Sequence, residues 1–114
     1  MSVSAAFTQL GNTVVFTAAA TAPTPVQCVG KILGPTQYRI INAGTNTVFL
    51  GYGSSAADAT TNSVIPTGGG ANSAFALPLL PGTDEILTFL PNAYFTGITS
   101  ANTSVIYITC GDGM

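Results

Sequence analysis

The chain has 114 residues, with two basic and four acidic side chains, a net charge of −2 and no histidine or tryptophan. A chain of this length is expected to form one domain around one modest hydrophobic core. Two cations are too few for the counterion release that drives binding to nucleic-acid phosphates. Because the chain has no histidine, neither catalysis by an imidazole nor metal binding by an imidazole is available.

Only 5% of the residues are charged, so the surface is built mainly from Ser, Thr, Asn, Gly and Ala. Ordinary globular domains have about 25% charged residues. A surface of Thr, Asn and Gly costs less to desolvate than one of Lys and Glu. The composition favours a protein that packs against other proteins, and a low-charge β domain without a special partner is the alternative.

No apolar run reaches the ~20 residues of a membrane span. The first residues lack a basic segment, and Ser, Thr and Gln interrupt their apolar ones, so they do not predict a signal peptide. We therefore expect synthesis in a cytoplasm and no membrane partner.

The chain begins with two short β-like segments, residues 4–9 and 13–18, separated by Leu-Gly-Asn. A Gly-Asn turn is typical of a β-hairpin, which would place Phe7 across from Phe16. The alternative is an N-terminal arm, residues 1–12, that carries Phe7 onto a neighbouring subunit. The sequence leaves both interpretations open.

The two cysteines, Cys28 and Cys110, each lie in a short apolar strand-like run and show no CxxC spacing. Free cysteine is among the most buried residue types. Since a reducing cytoplasm is expected, we predict two core thiols in preference to a disulfide.

Residues 37–53 are two runs of β-branched and aromatic residues joined by Ala-Gly-Thr-Asn. The pattern predicts a β-hairpin in which Arg39 faces Leu50. Both faces of this hairpin are largely apolar, whereas a solvated antiparallel sheet usually keeps one polar face. We expect it either to lie deep in a sandwich or to turn its Arg39/Leu50 face toward another chain.

Arg39 has an unusual context, since apolar side chains surround it. A guanidinium in such a place suits a bidentate pair with a carboxylate across an interface. The alternative is an arginine that reaches solvent at a sheet edge.

Residues 54–72 form the longest irregular segment, and such a loop is usually functional or disordered. A helical turn is possible at residues 56–62. Val64 and Ile65 are apolar anchors in an otherwise polar loop, and they are expected to dock either on the sandwich itself or on a partner.

Further strands are predicted at residues 73–80 and 85–90, followed by a second hairpin formed by residues 93–99 and 104–110. The total of about eight strands is that of an antiparallel, jelly-roll-like β-sandwich, in the all-β class. A seven-stranded immunoglobulin-like sandwich is the alternative, but the chain lacks a Cys…Trp…Cys pattern.

We therefore divide the chain into an N-terminal arm or hairpin strand, residues 1–12, and a single sandwich domain, residues 13–114.

No grouping of titratable residues indicates catalysis. Asp84 and Glu85 are adjacent, so on a strand they point to opposite faces and cannot act as an acid/base pair. The acidic residues lack the Asp-x-Asp spacing of calcium loops. We expect no enzyme activity, no cofactor and no metal.

Three stretches carry a resemblance to small structural proteins of tailed bacteriophages. They are Arg39-Ile-Ile-Asn-Ala-Gly with Val48-Phe-Leu-Gly-Tyr-Gly, Leu80-Pro-Gly-Thr-Asp-Glu-Ile-Leu-Thr-Phe, and Val105-Ile-Tyr-Ile-Thr-Cys-Gly-Asp-Gly. The chain most resembles the capsid decoration, or cement, proteins, which are small β-sandwich or jelly-roll proteins on the outside of an icosahedral head. Such proteins have interfaces and no motif-defined site, so the resemblance transfers no functional residue.

The resemblance implies a homo-oligomer, a dimer or trimer, that binds the major capsid protein, bridges capsomers and is carried on the virion surface after synthesis in the host cytoplasm. From the residues themselves, the candidate partner contacts are Phe7, Arg39, Leu50, Val64 and Ile65.

Two other functions remain open at this point. A receptor- or carbohydrate-binding module would stack exposed tyrosines such as Tyr52, Tyr94 and Tyr107 on sugar rings. A head–tail or tail-tube component would form rings instead of covering a shell.

Overall fold

The computed structural model describes residues 7–30, 35–66 and 76–113. These residues form eight strands and one short helix, which confirms the all-β class. The elements are β1 (Phe7–Ala18), β2 (Val26–Gln27), β3 (Gln37–Asn42), β4 (Val48–Gly53), α1 (Ala56–Asn62), β5 (Leu77–Leu79), β6 (Asp84–Thr88), β7 (Tyr94–Ile98) and β8 (Ser104–Gly113).

The strands form two antiparallel sheets of four, in the orders β1-β8-β3-β6 (the first sheet) and β2-β7-β4-β5 (the second sheet). Four of the pairs are nested along the chain: β4 with β5, β3 with β6, β2 with β7 and β1 with β8. Two further pairs, β3 with β8 and β4 with β7, complete the sheets. This is a jelly roll, in which one long folded ribbon is rolled into two facing sheets.

The hairpin predicted at residues 37–53 is wrong, because β3 and β4 belong to different sheets. Arg39 lies opposite Ile86 on one side and Thr109 on the other, and Leu50 has its partners in the second sheet. The connection between β3 and β4 has the length of a hairpin turn, but it crosses from one sheet to the other. Crossing lets the apolar side chains of both strands meet inside the sandwich.

The hairpin predicted at residues 93–99 and 104–110 is wrong for the same reason. β7 lies in the second sheet and β8 in the first. The short connection between them is another passage between sheets, and the apolar residues of both strands face each other through the core.

The N-terminal hairpin is also wrong, since β1 is one strand that runs antiparallel to β8. Phe7 lies opposite Gly113 and Phe16 lies opposite Ile106, so the two phenylalanines do not pair. Residues 7–9 pair with β8 of their own chain. Residues 1–6 of the predicted arm lie outside the described residues.

The Leu-Gly-Asn segment forms an irregularity in β1, between Gln9 and Thr13, where a turn was predicted. There Gly11 bridges Gly30, and the Asn12 side-chain oxygen accepts a hydrogen bond of 2.7 Å from the Val29 amide. The bulge bends β1 toward the segment that follows β2 and so connects the two sheets along this side of the sandwich.

The core is formed by the inward side chains of both sheets, with an aromatic cluster at one end. Tyr38 and Phe95 meet edge to face with ring centroids 5.1 Å apart, and Phe89 lies 5.5 Å from Phe95 and 4.4 Å from Tyr52. The Tyr38 hydroxyl donates to the Leu90 carbonyl at 2.6 Å, so this buried tyrosine keeps a polar partner. Burial raises the pKa of Tyr38.

Asn42 is a buried polar residue at the end of β3, where the chain leaves the first sheet. Its amide nitrogen donates to the Asn46 and Leu79 carbonyls, each at 2.9 Å. Its side-chain oxygen accepts from the Gly44 amide at 3.1 Å and the Ser104 hydroxyl at 2.7 Å. One side chain thus joins the crossing segment, β5 of the second sheet and β8 of the first.

Helix α1 covers part of the outer side of the second sheet, at two glycines of β4. A Cβ on Gly51 would overlap the Ala59 carbonyl and lie 2.6 Å from the Ser63 amide nitrogen, and one on Gly53 would overlap the Asp58 side chain. Val48 and Leu50 face inward, so the sequence Leu-Gly-Tyr-Gly alternates core side chains with positions that admit a helix. The helix predicted at residues 56–62 is confirmed, with Ser55 as its N-cap.

We expect the Asn42→Ala substitution to lower the free energy of unfolding by about 3 kcal/mol or more. It leaves the buried Leu79 carbonyl, the partly buried Asn46 carbonyl, the Gly44 amide and the Ser104 hydroxyl without their Asn42 partner. Urea denaturation measures the loss. The matched control is Asn46→Ala, which removes one exposed side-chain bond to the Thr103 carbonyl and should cost less than about 1 kcal/mol. Equal losses of unfolding free energy in the two variants would show that the buried Asn42 amide contributes no more stability than the exposed Asn46 amide.

We expect the Gly51→Ala substitution to displace α1, since the added methyl group has no room beneath the helix. Hydrogen exchange should show faster exchange of the Ala59 amide, which bonds to the Ser55 carbonyl in the folded helix. Gly82→Ala is the control, because a Cβ there meets nothing within 4 Å and acts only through the positive φ of 80°. Unchanged Ala59 exchange in the Gly51 variant would contradict this packing.

Candidate functional site

The outward side of the first sheet presents a continuous set of side chains, which we call the outer face. Residues directly opposite each other in antiparallel strands share a face, so the register defines its members. Three rows across the sheet are Thr13, Thr109, Arg39 and Ile86; then Val15, Tyr107, Ile41 and Asp84; then Thr17 and Val105. A further row, Gln9, Gly111 and Gln37, continues the same side beyond the irregularity of β1.

The outer face exposes large apolar side chains. Val15 is 51% exposed, Ile86 45% and Tyr107 43%. Val15 and Tyr107 are direct neighbours across β1 and β8, and half-buried Ile41 continues the same row. Single exposed apolar residues are common on protein surfaces, whereas a group on one face indicates an interaction site.

The charges of the outer face, Arg39 and Asp84, pair with each other. The Arg39 Nε lies 2.9 Å from Oδ1 of Asp84 and Nη2 lies 2.7 Å from Oδ2, a bidentate arrangement. Both side chains are about half exposed, at 49% and 47%. Arg39 therefore has a carboxylate partner in its own sheet, and the outer face carries no net charge.

This ion pair shifts the pKa values of both groups. The hydrogen bonds from Arg39 lower the pKa of the Asp84 carboxyl, and the same bonds raise the pKa of the guanidinium. Solvent screens the attraction between these exposed charges, so the pair adds little to the stability of the fold. Its main effects are to hold the two side chains in place and to neutralise their charges.

Hydroxyl groups make up much of the remaining polar surface of the outer face. The Thr13 and Thr109 hydroxyls lie 2.7 Å apart and hydrogen-bond to each other across β1 and β8. Hydroxyl groups and a neutralised ion pair cost less to cover than separate charges. The face is suited to contact with another protein surface.

Among the sequence-predicted contacts, Arg39 belongs to the outer face, and Phe7, opposite Gly113 in β8, lies on the same side of the first sheet. Leu50 is fully buried in the core, so its assignment as a partner contact is wrong. Phe7 is half-buried, with its ring close to Gly111. Val64 and Ile65 are half-buried and follow α1, on the opposite side of the sandwich.

The sequence reasoning missed Val15, Tyr107 and Ile86. The sequence pattern that could have identified them is the alternation of inward and outward residues along a strand. Val15, for example, lies between two inward residues, Val14 and Phe16. That signal identifies an exposed apolar position only when the inward side of the strand is known. Asp84 was considered only together with Glu85 as an acid/base pair, so its pairing with Arg39 was missed as well.

The three tyrosines proposed for sugar stacking do not share a surface. Tyr107 belongs to the outer face, and Tyr52 faces inward beside Phe89. Tyr94 lies opposite Gly53, on the other side of the second sheet from Tyr52. These three tyrosines therefore do not form one aromatic platform.

A cavity of about 330 Å³ opens between the sheets, lined by Tyr52, Ala76, Leu77, Leu87, Thr88 and Phe89. Its described walls are aromatic and aliphatic, with hydroxyl groups as the polar side-chain atoms. Within the part of the chain that the structure describes, no group of three or more His, Cys, Asp or Glu side chains could hold a metal ion. No helix of the described residues has the length and apolar character to cross a membrane.

Comparison of the chain with protein-family models, with curated proteins and with solved structures finds no match.

We expect the Asp84 carboxyl to titrate below its ordinary pKa of about 3.9, and the Arg39→Gln substitution to return it toward that value. Because the folded-state pKa is lowered, the stabilisation is present above the unfolded-state pKa and is lost as the pH falls through the folded-state pKa. Carboxyl NMR titration of the wild type and the variant measures the shift. An Asp84 pKa that Arg39→Gln leaves unchanged would show that the ion pair does not form in solution.

Proposed function

We propose that this protein is a structural virion protein of the capsid decoration type, which binds the outside of an assembled phage head and bridges capsomers. The observation that carries the proposal is the outer face, with Val15, Ile86 and Tyr107 exposed around the neutral Arg39–Asp84 pair. The resemblance of residues 37–114 to cement proteins supports it.

The outer face differs from the solvated face of an ordinary antiparallel sheet, which is polar. Covering its apolar side chains is favourable by roughly 25 cal/mol per Å² removed from water. The Arg39–Asp84 pair already satisfies both charges, so a partner does not need to supply a counter-charge. A surface of small polar and apolar groups is the complement that fits.

The area of the outer face limits how strongly one copy of the protein binds. Four strands ~4.8 Å apart and about five residues at ~3.4 Å each give a flat area of roughly 300 Å². A standard protein interface covers about 800 Å² on each partner. One copy therefore binds weakly through this face alone, and oligomerisation or flanking segments add contact. A dimer or trimer on the shell gains affinity by binding at several points.

Stabilisation by such a protein needs no chemistry. If it binds the assembled shell and not the separated capsid subunits, each site adds RT ln(1 + [L]/Kd) to the stability of the shell. Repetition over the particle multiplies this term. Jelly rolls recur in viral capsid proteins and in lectins, an analogy of fold that does not by itself assign a function.

The test mixes the purified protein with expanded heads made without it and detects binding by co-sedimentation. Cryo-electron microscopy then locates the bound copies. Density at two-fold or three-fold positions between capsomers is the expected result. Density at the portal vertex would support a head–tail component instead, and failure to bind expanded heads would overturn the proposal.

Variants of the outer face identify the surface that binds. We expect the Val15→Lys and Tyr107→Lys substitutions each to weaken binding to heads by about tenfold or more, since each places an unpaired charge in the contact. Val29→Lys is the matched control, because Val29 is also an exposed apolar residue, at 38%, and lies outside the outer face. Equal binding by all three variants, each with wild-type thermal stability, would exclude the outer face as the contact.

A further inference from the structure

Cys28 and Cys110, the two cysteines of the chain, lie together in the core. Both are fully buried and unbonded, which confirms the expected core thiols. Cys28 follows β2 directly, and its amide donates to the Ala93 carbonyl beside β7 of the second sheet, at 3.0 Å. Cys110 belongs to β8 of the first sheet and lies opposite Tyr38.

The two sulfur atoms converge on the same backbone oxygen. The Asn12 carbonyl lies 3.5 Å from the Cys28 Sγ and 3.9 Å from the Cys110 Sγ. The Cys28 Sγ also lies 3.7 Å from the Ile108 carbonyl, two residues before Cys110 in β8. A Cβ on Gly11 would overlap the Cys110 Sγ, so both thiols lie against the bulge of β1.

We propose that Cys28 and Cys110 form a reversible disulfide that links the two sheets through the core when the protein meets a peroxide. The proposal rests on the position of the thiols and does not depend on the proposed function. Cys28, just after β2 of the second sheet, and Cys110, within β8 of the first sheet, bring their sulfurs to the same carbonyl although the cysteines are far apart along the chain.

The chemistry balances with one equivalent of hydrogen peroxide. The first thiol loses its proton, its thiolate attacks a peroxide oxygen, and the O–O bond breaks. A sulfenic acid forms, and the leaving hydroxide takes up the proton to give water. The second thiol loses its proton, its thiolate attacks the sulfenic sulfur, and the S–O bond breaks as the S–S bond forms. The leaving hydroxide takes up this proton to give a second water. Two thiols are oxidised by two electrons, and one peroxide is reduced to two waters.

The surroundings make this oxidation slow in the folded protein. Burial, with the nearby Cys110 thiol, raises the pKa of Cys28 to about 12. The thiolate is the reactive form, so little of it exists at neutral pH. The pair is therefore protected from brief exposure to an oxidant and closes during long exposure or local opening of the β1 bulge.

Closure joins the ends of a loop of roughly 80 residues, which restricts the unfolded chain strongly. For a domain of this size, we expect the oxidised protein to have a Tm higher than the reduced protein by roughly 10 °C. If the oxidised protein is unfolded, treated with a thiol reductant and refolded, its Tm should return to that of the reduced protein.

Trypsin provides a direct test, because the sequence contains one lysine and one arginine, Lys31 and Arg39. Cleavage gives fragments 1–31, 32–39 and 40–114, which separate the two cysteines. After treatment of the full chain with hydrogen peroxide, mass spectrometry without reductant should find fragments 1–31 and 40–114 joined, with the loss of two hydrogens. Reduction should release them.

Two controls keep the result interpretable. The Cys28→Ala and Cys110→Ala double variant should show no peroxide-dependent change in Tm. The wild-type protein is also oxidised in urea at low concentration, where the thiols are accessible, and is then refolded. A refolded, cross-linked protein with a raised Tm supports the proposal.

Three outcomes would overturn it: a cross-linked chain that does not refold, a cross-linked chain with a Tm no higher than that of the reduced protein, or joined fragments that come only from dimers of two chains. Oxidation of either cysteine to sulfinic acid with no cross-link, in both the folded and the urea samples, would also contradict the pairing.

Discussion

The jelly roll depends on satisfying the backbone where the chain passes from one sheet to the other, and the buried amide of Asn42 does this. Both donors and the acceptor of its carboxamide are used, and they join segments from both sheets. A hydrogen bond buried among apolar side chains is strongly directional, since no water can replace it. The amide therefore fixes the geometry of the crossing. Nearby Gly44 has no Cβ because Ser104 occupies that space.

The class of the fold could be predicted from the sequence, and the pairing of its strands could not. Strand positions follow from local patterns of β-branched and aromatic residues and from the turn residues between them. A hairpin turn and a crossing between sheets have similar lengths and residues, as the segment between Asn42 and Val48 shows. What separates them is the pairing of β3 with β8 and of β4 with β7, which depends on residues far apart in sequence.

The two apolar faces of β4 illustrate the same limit for the candidate site. A partner chain was one explanation, but Leu50 faces the core and α1 lies over Gly51 and Gly53. Two glycines in one strand indicate that another part of the protein packs closely against the strand, but the sequence does not identify that part as α1. Arg39 was expected to pair with a carboxylate across an interface or to reach solvent, whereas its partner is Asp84 of its own sheet, which becomes its neighbour only when β6 pairs with β3.

The nested pairing of the strands affects how the chain can be made. During synthesis β1 emerges first, yet its neighbour in the sheet is β8, the last strand to emerge. The innermost pair, β4 with β5, becomes available earliest, and pairing can then extend outward toward the ends of the chain. Until β7 and β8 have been synthesised, the nascent chain lacks part of each sheet, and its core side chains are exposed to water. Such distant pairing slows folding and leaves partly folded states with exposed apolar surface, and the first sheet cannot be completed before β8 is available to pair with β1 and β3.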